Sequence, residues 1–333
     1  DKFKRILIKS GGHRPDCFPR DDLAQLITQG LNGDQQHHQH VIFFLNGEYW
    51  GIHSIKERVD PYFFQNQYGI DDDDLTILDQ EYDRQGGGNS ADSLEMVKVE
   101  TFADTADMTL PENFEWMADR MDMDNYIDYM AAEIFLSNED WVYSNVVLWR
   151  KTGGYDPEAG PGHDGKFRWC FYDLDGAFGG SCSNAYYTVN TLNAATIETG
   201  PFSPYSRLFR GLLGSPIFKE MWINRICDLM NSHFKANTLH AKMDQIYNEL
   251  TPEMMENVNR WRYPSEASTL ADRALETPSL VQWDTSFYYL HRFAGRRQEK
   301  VKEDIMDKWG YPDTSFVTID VNDQSMGSVQ INT

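Results

Sequence analysis

The apolar positions of this chain keep a strand rhythm near its start and a helical rhythm over most of its second half. Residues 2–9 (KFKRILIK) predict a short strand. After Gly11-Gly12, Leu23, Leu26, Ile27 and Leu31 recur at helical spacing, so Arg20 to Leu31 predicts a helix. VIFFL (41–45), Asn46-Gly47 and YWGIHSI (49–55) predict a hairpin, because both central residues of the tight turn need positive φ. A polar Lys56-Glu57-Arg58 connection leads to Asp60-Pro61, which opens a short helix bearing Tyr62, Phe63, Phe64 and Tyr68. Residues 71–93 are acidic and glycine-rich and read as surface loop. The Gly86–Gly88 run lacks the lysine and the strand-to-helix setting that a phosphate loop requires.

Helical spacing returns over Pro111–Met121 and over Met123 to Leu136, where Tyr126, Met130, Ile134 and Phe135 form an apolar face. Two strands follow, Val146–Arg150 and Phe167–Tyr172, around a loop rich in glycine and proline. Helices are then predicted at Leu208–Leu213, Phe218–Phe234, Leu239–Leu250, Pro252–Arg262 and Leu290–Lys308. Residues 314–333 alternate in strand fashion, as the start of a further β segment would.

Composition narrows the class. With 333 residues, 41% hydrophobic and 14% aromatic, the chain can bury one large core or two lobes. No run approaches the length of an apolar bilayer span. The formal charge of −22 repels phosphate backbones, which excludes nucleic acid as a partner and suits bound cations or a basic protein. The cysteines, Cys17, Cys170, Cys182 and Cys227, form no CxxC pair, and Cys170 reads as a buried thiol in an apolar strand. The chain opens at Asp1 without a basic or apolar leader, so an export signal is expected upstream or already removed.

The chemistry concentrates in Ser137–Gly180: NEDWVYSNVVLWR, a loop, then KFRWCFYDLDGAFG. An apolar helix precedes Asp140; Asn145 follows five positions on; a strand, a turn and a strand then deliver Asp173. Protein kinases use this order. A catalytic-loop Asp accepts the substrate hydroxyl proton, an Asn five residues later ligates a metal, and two strands bring in the metal-binding Asp. Upstream, helix 20–31, the hairpin and the Pro61 helix match in order a kinase's regulatory helix, two small-lobe strands and the first large-lobe helix. That match is one of order, by analogy. Asp140 and Asn145 also have plain readings as a turn residue and a strand-start cap, and Asp173 with Asp175 as a calcium site or a turn satisfied by backbone N–H groups.

FFLNGEYWGIHSIKERVD, IKSGG…FPRDDLAQLI, NEDW…N…LWR with WCFYDLDGAFG, and the late FAGRRQEKV resemble the CotH spore-coat family over roughly residues 2–310. The resemblance implies an α+β, atypical protein-kinase-like fold with a small β-containing N-lobe (1–60) and a larger helical C-lobe (61–312). The catalytic block would be 138–179, with a further β segment at 313–333. It implies ATP with Mg2+ or Mn2+ as cofactors and serine phosphorylation of secreted or coat proteins. Carried onto this sequence, Asp140 is the catalytic carboxylate, Asn145 a metal or loop-ordering ligand, Asp173 holds the metal, and Asp175 shares it or caps the turn. Glu57 is a candidate hinge acceptor. The family's Arg-Gly-Asn-Ser-type loop and following lysine have no equivalent here, which leaves Lys4 and Lys9 as candidate phosphate lysines. Each also reads as a solvated strand-edge lysine.

Other features read plainly. His37, His38 and His40 lack a Cys or acidic partner at ligand spacing and read as a solvated Gln-rich loop. Trp141, Trp149 and Trp169 read as core. The Asn/Ser/Tyr-rich stretch 181–206 occupies the place of an activation or substrate loop. No G-x-S-x-G, H-E-x-x-H or Rossmann fingerprint occurs. The expected function is an ATP- and metal-dependent kinase of Ser/Thr on exported or surface proteins, its substrate basic and Ser-rich. The alternative is a catalytically inactive surface or adhesion module of the same fold. Both place the chain in the extracellular space or cell envelope.

Overall fold

The computed structural model describes residues 4–10, 19–86, 90–180, 186–261 and 279–315. It is an α+β protein in which two small antiparallel sheets are embedded among helices. The first sheet is ordered β1-β3-β2, with β1 Ile6–Lys9, β2 His38–Leu45 and β3 Glu48–Glu57. Asn46 and Gly47 close the β2–β3 hairpin at φ of 53° and 82°, the left-handed pair that a two-residue turn requires. Pairing of Lys9 with Ser54, and of His38 with Lys56, puts Lys9, Ser54, Lys56, His38 and His40 on one face. That polar face looks onto helix α1 (Arg20–Thr28), while Ile6 and Ile8 on the opposite face are about half exposed.

The second sheet, ordered β5-β4-β6-β7, comprises β4 Leu75–Leu78, β5 Arg84–Gly86, β6 Val147–Lys151 and β7 Arg168–Cys170. Its residues alternate between two cores. Ile77, Trp149 and Cys170 pack with Phe63 and Phe64 of α2 (Pro61–Tyr68), whereas Leu78, Leu148 and Trp169 join the main core. Helix α2 starts where Asp60 caps the N–H groups of Tyr62 and Phe63, with Pro61 at its first position. Helix α5 (Met123–Leu136) is capped by Asp122 and buried on nearly every side; its Asn125 amide accepts from Trp169 N–H and donates to Trp169 O, fixing the outer edge of β7. The remaining helices are α3 (Ser90–Thr105), α4 (Pro111–Ala118), α6 (Thr191–Ala194), α7 (Arg207–Leu212), α8 (Pro216–Asn231), α9 (Ala236–Trp261) and α10 (Leu280–Trp309). The main core runs without a break from Leu23 on α1 to Ile305 on α10. Among the described residues no helix is long and apolar enough to cross a membrane.

Several expectations need correction. The stretch 71–93 is not all surface loop: LTIL forms β4, buried at all four positions, because the apolar run overrides its acidic flanks. Lys56 is no connection residue but the penultimate residue of β3, 2% exposed. Helix α9 passes through Pro252 unbroken. Its buried stripe (Leu239, Met243, Ile246, Leu250, Met254, Val258) continues across the proline, and Thr251 Oγ1 donates to Tyr247 O within the disturbed turn. His38 and His40 belong to β2 and face Asp22, not solvent. Cys170 is a buried free thiol, as its apolar surroundings implied. Of the β segment expected at 313–333, residues 313–315 form no strand and 316–333 lie outside the described residues, as do Cys17, Cys182, Gly11, Gly12 and residues 181–185.

Candidate functional site

Asp140 and Asn145 lie in the turn-rich link between α5 and β6, and Asp173 follows β7 at the start of a single 3-10 turn, Leu174–Gly176. Val147 pairs with Cys170, so Asn145 and Asp173 leave the β6–β7 ladder at the same end. Both adopt left-handed backbone, at φ of 59° and 49°. Such conformations in non-glycine residues cost energy and persist only where the surroundings fix them. Here the surroundings do. Phe178 and Gly179 donate their N–H groups to Leu136 O and Ser137 O, and Glu139 N–H donates to Gly176 O, closing the link from α5 against the turn after Asp173. A Cβ on Gly176 would stand 2.5 Å from Asn138 Oδ1 and 3.1 Å from Asp140 Oδ2, so only glycine lets the Asp140 carboxylate lie against this turn.

Helix α1 enters the same place. Arg20 donates to Ala177 O, Gln25 donates to Phe171 O, and Leu174 N–H donates to Asp21 Oδ1, which fastens the helix along residues 171–177. Lys9, the last residue of β1, then joins the two: its Nζ is 2.8 Å from Asp21 Oδ2 and 2.5 Å from Asp173 Oδ1. Burial alone would lower the Lys9 pKa, but Asp21 and Asp173 outweigh it and hold the ammonium above the ordinary lysine value. Lys56 lies behind, 2.6 Å from both Asp21 Oδ2 and Asp22 Oδ1. Burial raises the Asp21 pKa, yet Lys56 and Lys9 reverse this, so Asp21 titrates below the usual carboxylate range. Asp175 is pushed upward by burial, then by Asp173, against the pull of Lys9, with Asp21 and Asp140 adding to the rise. Four carboxylates, those of Asp21, Asp140, Asp173 and Asp175, thus share one electrostatic neighbourhood.

Carboxylate and amide oxygens on Asp173, Asp175 and Asn145 are of the type that a hard divalent cation prefers, and Asp173 is a third exposed. Among the described residues the carboxylates of Asp140, Asp173 and Asp175 do not all bring ligand atoms within 4.8 Å of one another. Lys4 stands elsewhere, its Nζ 4.2 Å from the centre of the Tyr62 ring, so Lys9 is the β1 lysine that reaches the carboxylates. Glu57 sits at the end of β3, paired with Ile6 at the opposite end of β1 from Lys9, not at this cluster. Its N–H donates to His37 O, its carbonyl accepts from Gln36 Nε2, and its carboxylate accepts from His37 Nδ1. The aromatic residues are structural: Trp149 and Trp169 face opposite cores, and Trp141 Nε1 donates to Tyr129 OH within the main one.

Sequence reasoning passed over Asp21, Asp22, Lys56 and Glu133. The acidic first turn of α1 was visible as RDD, but nothing in the letters placed Lys56 opposite it, 35 residues away. Glu133 is buried on α5, one turn before the Asp140 link. Its Oε2 accepts from Asn138 Nδ2 at 3.0 Å, and Asn138 Oδ1 in turn accepts the Asp140 N–H. Its Oε1 is buried with no hydrogen-bond partner. Burial, only partly offset by Asn138, raises its pKa to about 8. The folded protein therefore keeps a proton on Glu133 that the unfolded chain releases near the ordinary value of 4.5. Stability associated with this group is unaffected below that pH and falls as pH rises from about 4.5 towards 8. Glu133→Gln removes the titration. Relative to wild type, its unfolding free energy is expected to rise by on the order of 3 kcal/mol between pH 5 and pH 7 in urea melts. A constant difference across that range would contradict a neutral buried Glu133.

The chain matches the model of the CotH kinase protein family over residues 16–301. Comparison with curated proteins gives no match. The family match spans most of the chain, including α1, the β2–β3 hairpin, the second sheet and the Asp140–Asp173 link but not β1, and the chain therefore belongs to the CotH kinase protein family, a kinase-like group.

Proposed function

We propose that this protein transfers the terminal phosphate of ATP, with Mg2+ or Mn2+, to serine or threonine of exported or surface proteins. The observation that carries the reading is Lys9, whose ammonium bridges Asp21 on α1 and Asp173 beyond β7. In kinases a strand lysine pairs with an acidic residue of the regulatory helix and reaches the phosphates, next to the metal-binding Asp. Lys9, Asp21 and Asp173 stand in those relations, with β1, α1 and β7 in the same chain order. The first sheet with α1 then acts as the small lobe (1–60) and residues 61–312 as the large one. Asp140 orients the attacking hydroxyl and accepts its proton; Asn145 and Asp173 hold the metal, and Asp175 joins them when a cation offsets its like-charged neighbours. Bound metal neutralises charge on the phosphates. Glu57 serves as the hinge acceptor for the base in this reading. A basic, serine-rich substrate suits a chain of charge −22.

One observation favours the second reading, an inactive module of the same fold. Lys9 already neutralises Asp173 Oδ1, as a frozen site would have it. Nucleotide binding separates the two. With ATP and Mn2+ at about 100 times the dissociation constant, the native state gains about 2.7 kcal/mol, read as a rise in melting temperature. Labelled phosphate should also pass to a serine-rich basic protein. Lys9→Met is expected to weaken nucleotide binding at least about tenfold, the cost of one charge-assisted contact. Wild type showing neither a shift nor transfer leaves the inactive module standing.

A further inference from the structure

A second cluster lies on the far side of Asp22. His38 and His40, two apart on β2, point from the same face of the strand, and α1 sets Asp22 against them. One ligand atom from each of the three lies within 4.8 Å of the others. The side chains of Asp22 and His40 are 4% and 5% exposed. His40 Nε2 is 3.2 Å from Asp22 Oδ2. Two ligands each about 2.0–2.1 Å from a tetrahedral ion stand about 3.3 Å apart, so this pair already has the spacing of ligands on one metal. The other His40 nitrogen, Nδ1, is 2.9 Å from Glu249 Oε1 on α9. A carboxylate behind an imidazole fixes its tautomer and turns the opposite nitrogen towards a metal. Asp22 is divided in the same way: Oδ1 takes Lys56 and Ser54, and Oδ2 faces the histidines. His38 supplies the unmet demand, since its Nδ1 is buried and has no hydrogen-bond partner.

We propose that Asp22, His38 and His40 form a binding site for a divalent transition-metal ion of the zinc class, with Glu249 as the carboxylate that orients His40. Two imidazoles and one carboxylate suit such an ion better than Mg2+, which seeks oxygen, so the site is chemically distinct from the Asp173 centre. Three protein ligands leave a position for water. The nearby Lys56 ammonium opposes the ion, but Asp21, Asp22 and Glu249 outnumber Lys56 and Lys9. The bound ion ties α1 to β2 one residue from Asp21, and so steadies the helix that presents Asp21 to Lys9. This site does not depend on the kinase reading.

The test uses protein stripped with a chelator and titrated with Co2+, whose low-coordinate complexes absorb visibly. Wild type should develop visible bands at one equivalent, and Zn2+ should abolish them. Glu249→Gln, at a partly exposed position that leaves the fold intact, is expected to weaken Co2+ binding roughly tenfold, the lower end of the effect of losing such a carboxylate. His38→Gln and His40→Gln should weaken it further. Asp173→Asn should leave the bands unchanged, as should His291→Gln, which disrupts the separate His240–His291 pair between α9 and α10. Absence of bands in wild type overturns the proposal. So does unchanged binding in Glu249→Gln together with His40→Gln, or loss of the bands in Asp173→Asn or His291→Gln.

Discussion

Asp173→Asn is expected to reduce phosphate transfer by about 10³-fold or more, the scale on which single charged groups support phosphoryl transfer. The substitution removes the carboxylate that stands nearest Lys9 at the end of the β6–β7 ladder and leaves shape and size almost unchanged. Its effect on folding should be small. Asp173 is 33% exposed, Lys9 25%, and Lys9 keeps Asp21 at 2.8 Å; a partly exposed pair of this kind contributes no more than about 1 kcal/mol. Asp140→Asn makes a useful contrast. It removes the proton acceptor without touching Lys9 or Asp173, so kcat should fall about 10²- to 10⁴-fold while nucleotide affinity holds. Asp173→Asn should lose both rate and metal-dependent nucleotide affinity. Transfer at near wild-type rate by Asp173→Asn, measured on a variant with an unchanged melting temperature, would remove Asp173 from the centre.

The largest loss of stability is expected from Lys56→Met, on the order of 3–5 kcal/mol. Lys56 is 2% exposed and its ammonium is 2.6 Å from one carboxylate oxygen of Asp21 and one of Asp22, themselves nearly as buried. Removing the cation leaves two adjacent buried carboxylates, Asp21 with Lys9 and the Leu174 N–H, and Asp22 with His40 and Ser54. The ion pair itself need not be strongly stabilising for its rupture to be costly, because an uncompensated buried charge carries its full desolvation penalty. Adding Asp22→Asn to Lys56→Met should recover part of the loss, and a double-mutant cycle in urea would read the coupling directly. If Lys56→Met unfolds within about 1 kcal/mol of wild type, the Lys56 cluster is not the element that holds α1 to the sheet.

Much of the local structure was legible because it is set by neighbouring residues. Asn46-Gly47 gave the hairpin, Asp60-Pro61 the start of α2, and the apolar runs at Val146–Arg150 and Phe167–Tyr172 the two strands that deliver Asp173. The order Asp140, Asn145, strand, strand, Asp173 was readable for the same reason. What the letters concealed depended on distance in three dimensions. LTIL was hidden among acidic neighbours until burial between two layers made it β4. His38 and His40, in a glutamine-rich stretch, lacked an acidic partner because that partner, Asp22, lies 16–18 residues earlier on a different element. Proline in α9 was taken as a break, and packing of the stripe on either side carried the helix through.

The sequence by itself determined the backbone signals and the identity of the groups: which residues turn, which cap, and which can carry a proton, a phosphate or a metal. Only the tertiary structure decided how those groups behave. Glu133 holds its proton because water is excluded around it, and Lys9 keeps its charge because Asp21 and Asp173 arrive from α1 and β7. Backbone angles answer to the residue and its neighbours, whereas desolvation and Coulomb energy answer to whatever the fold brings within a few ångströms.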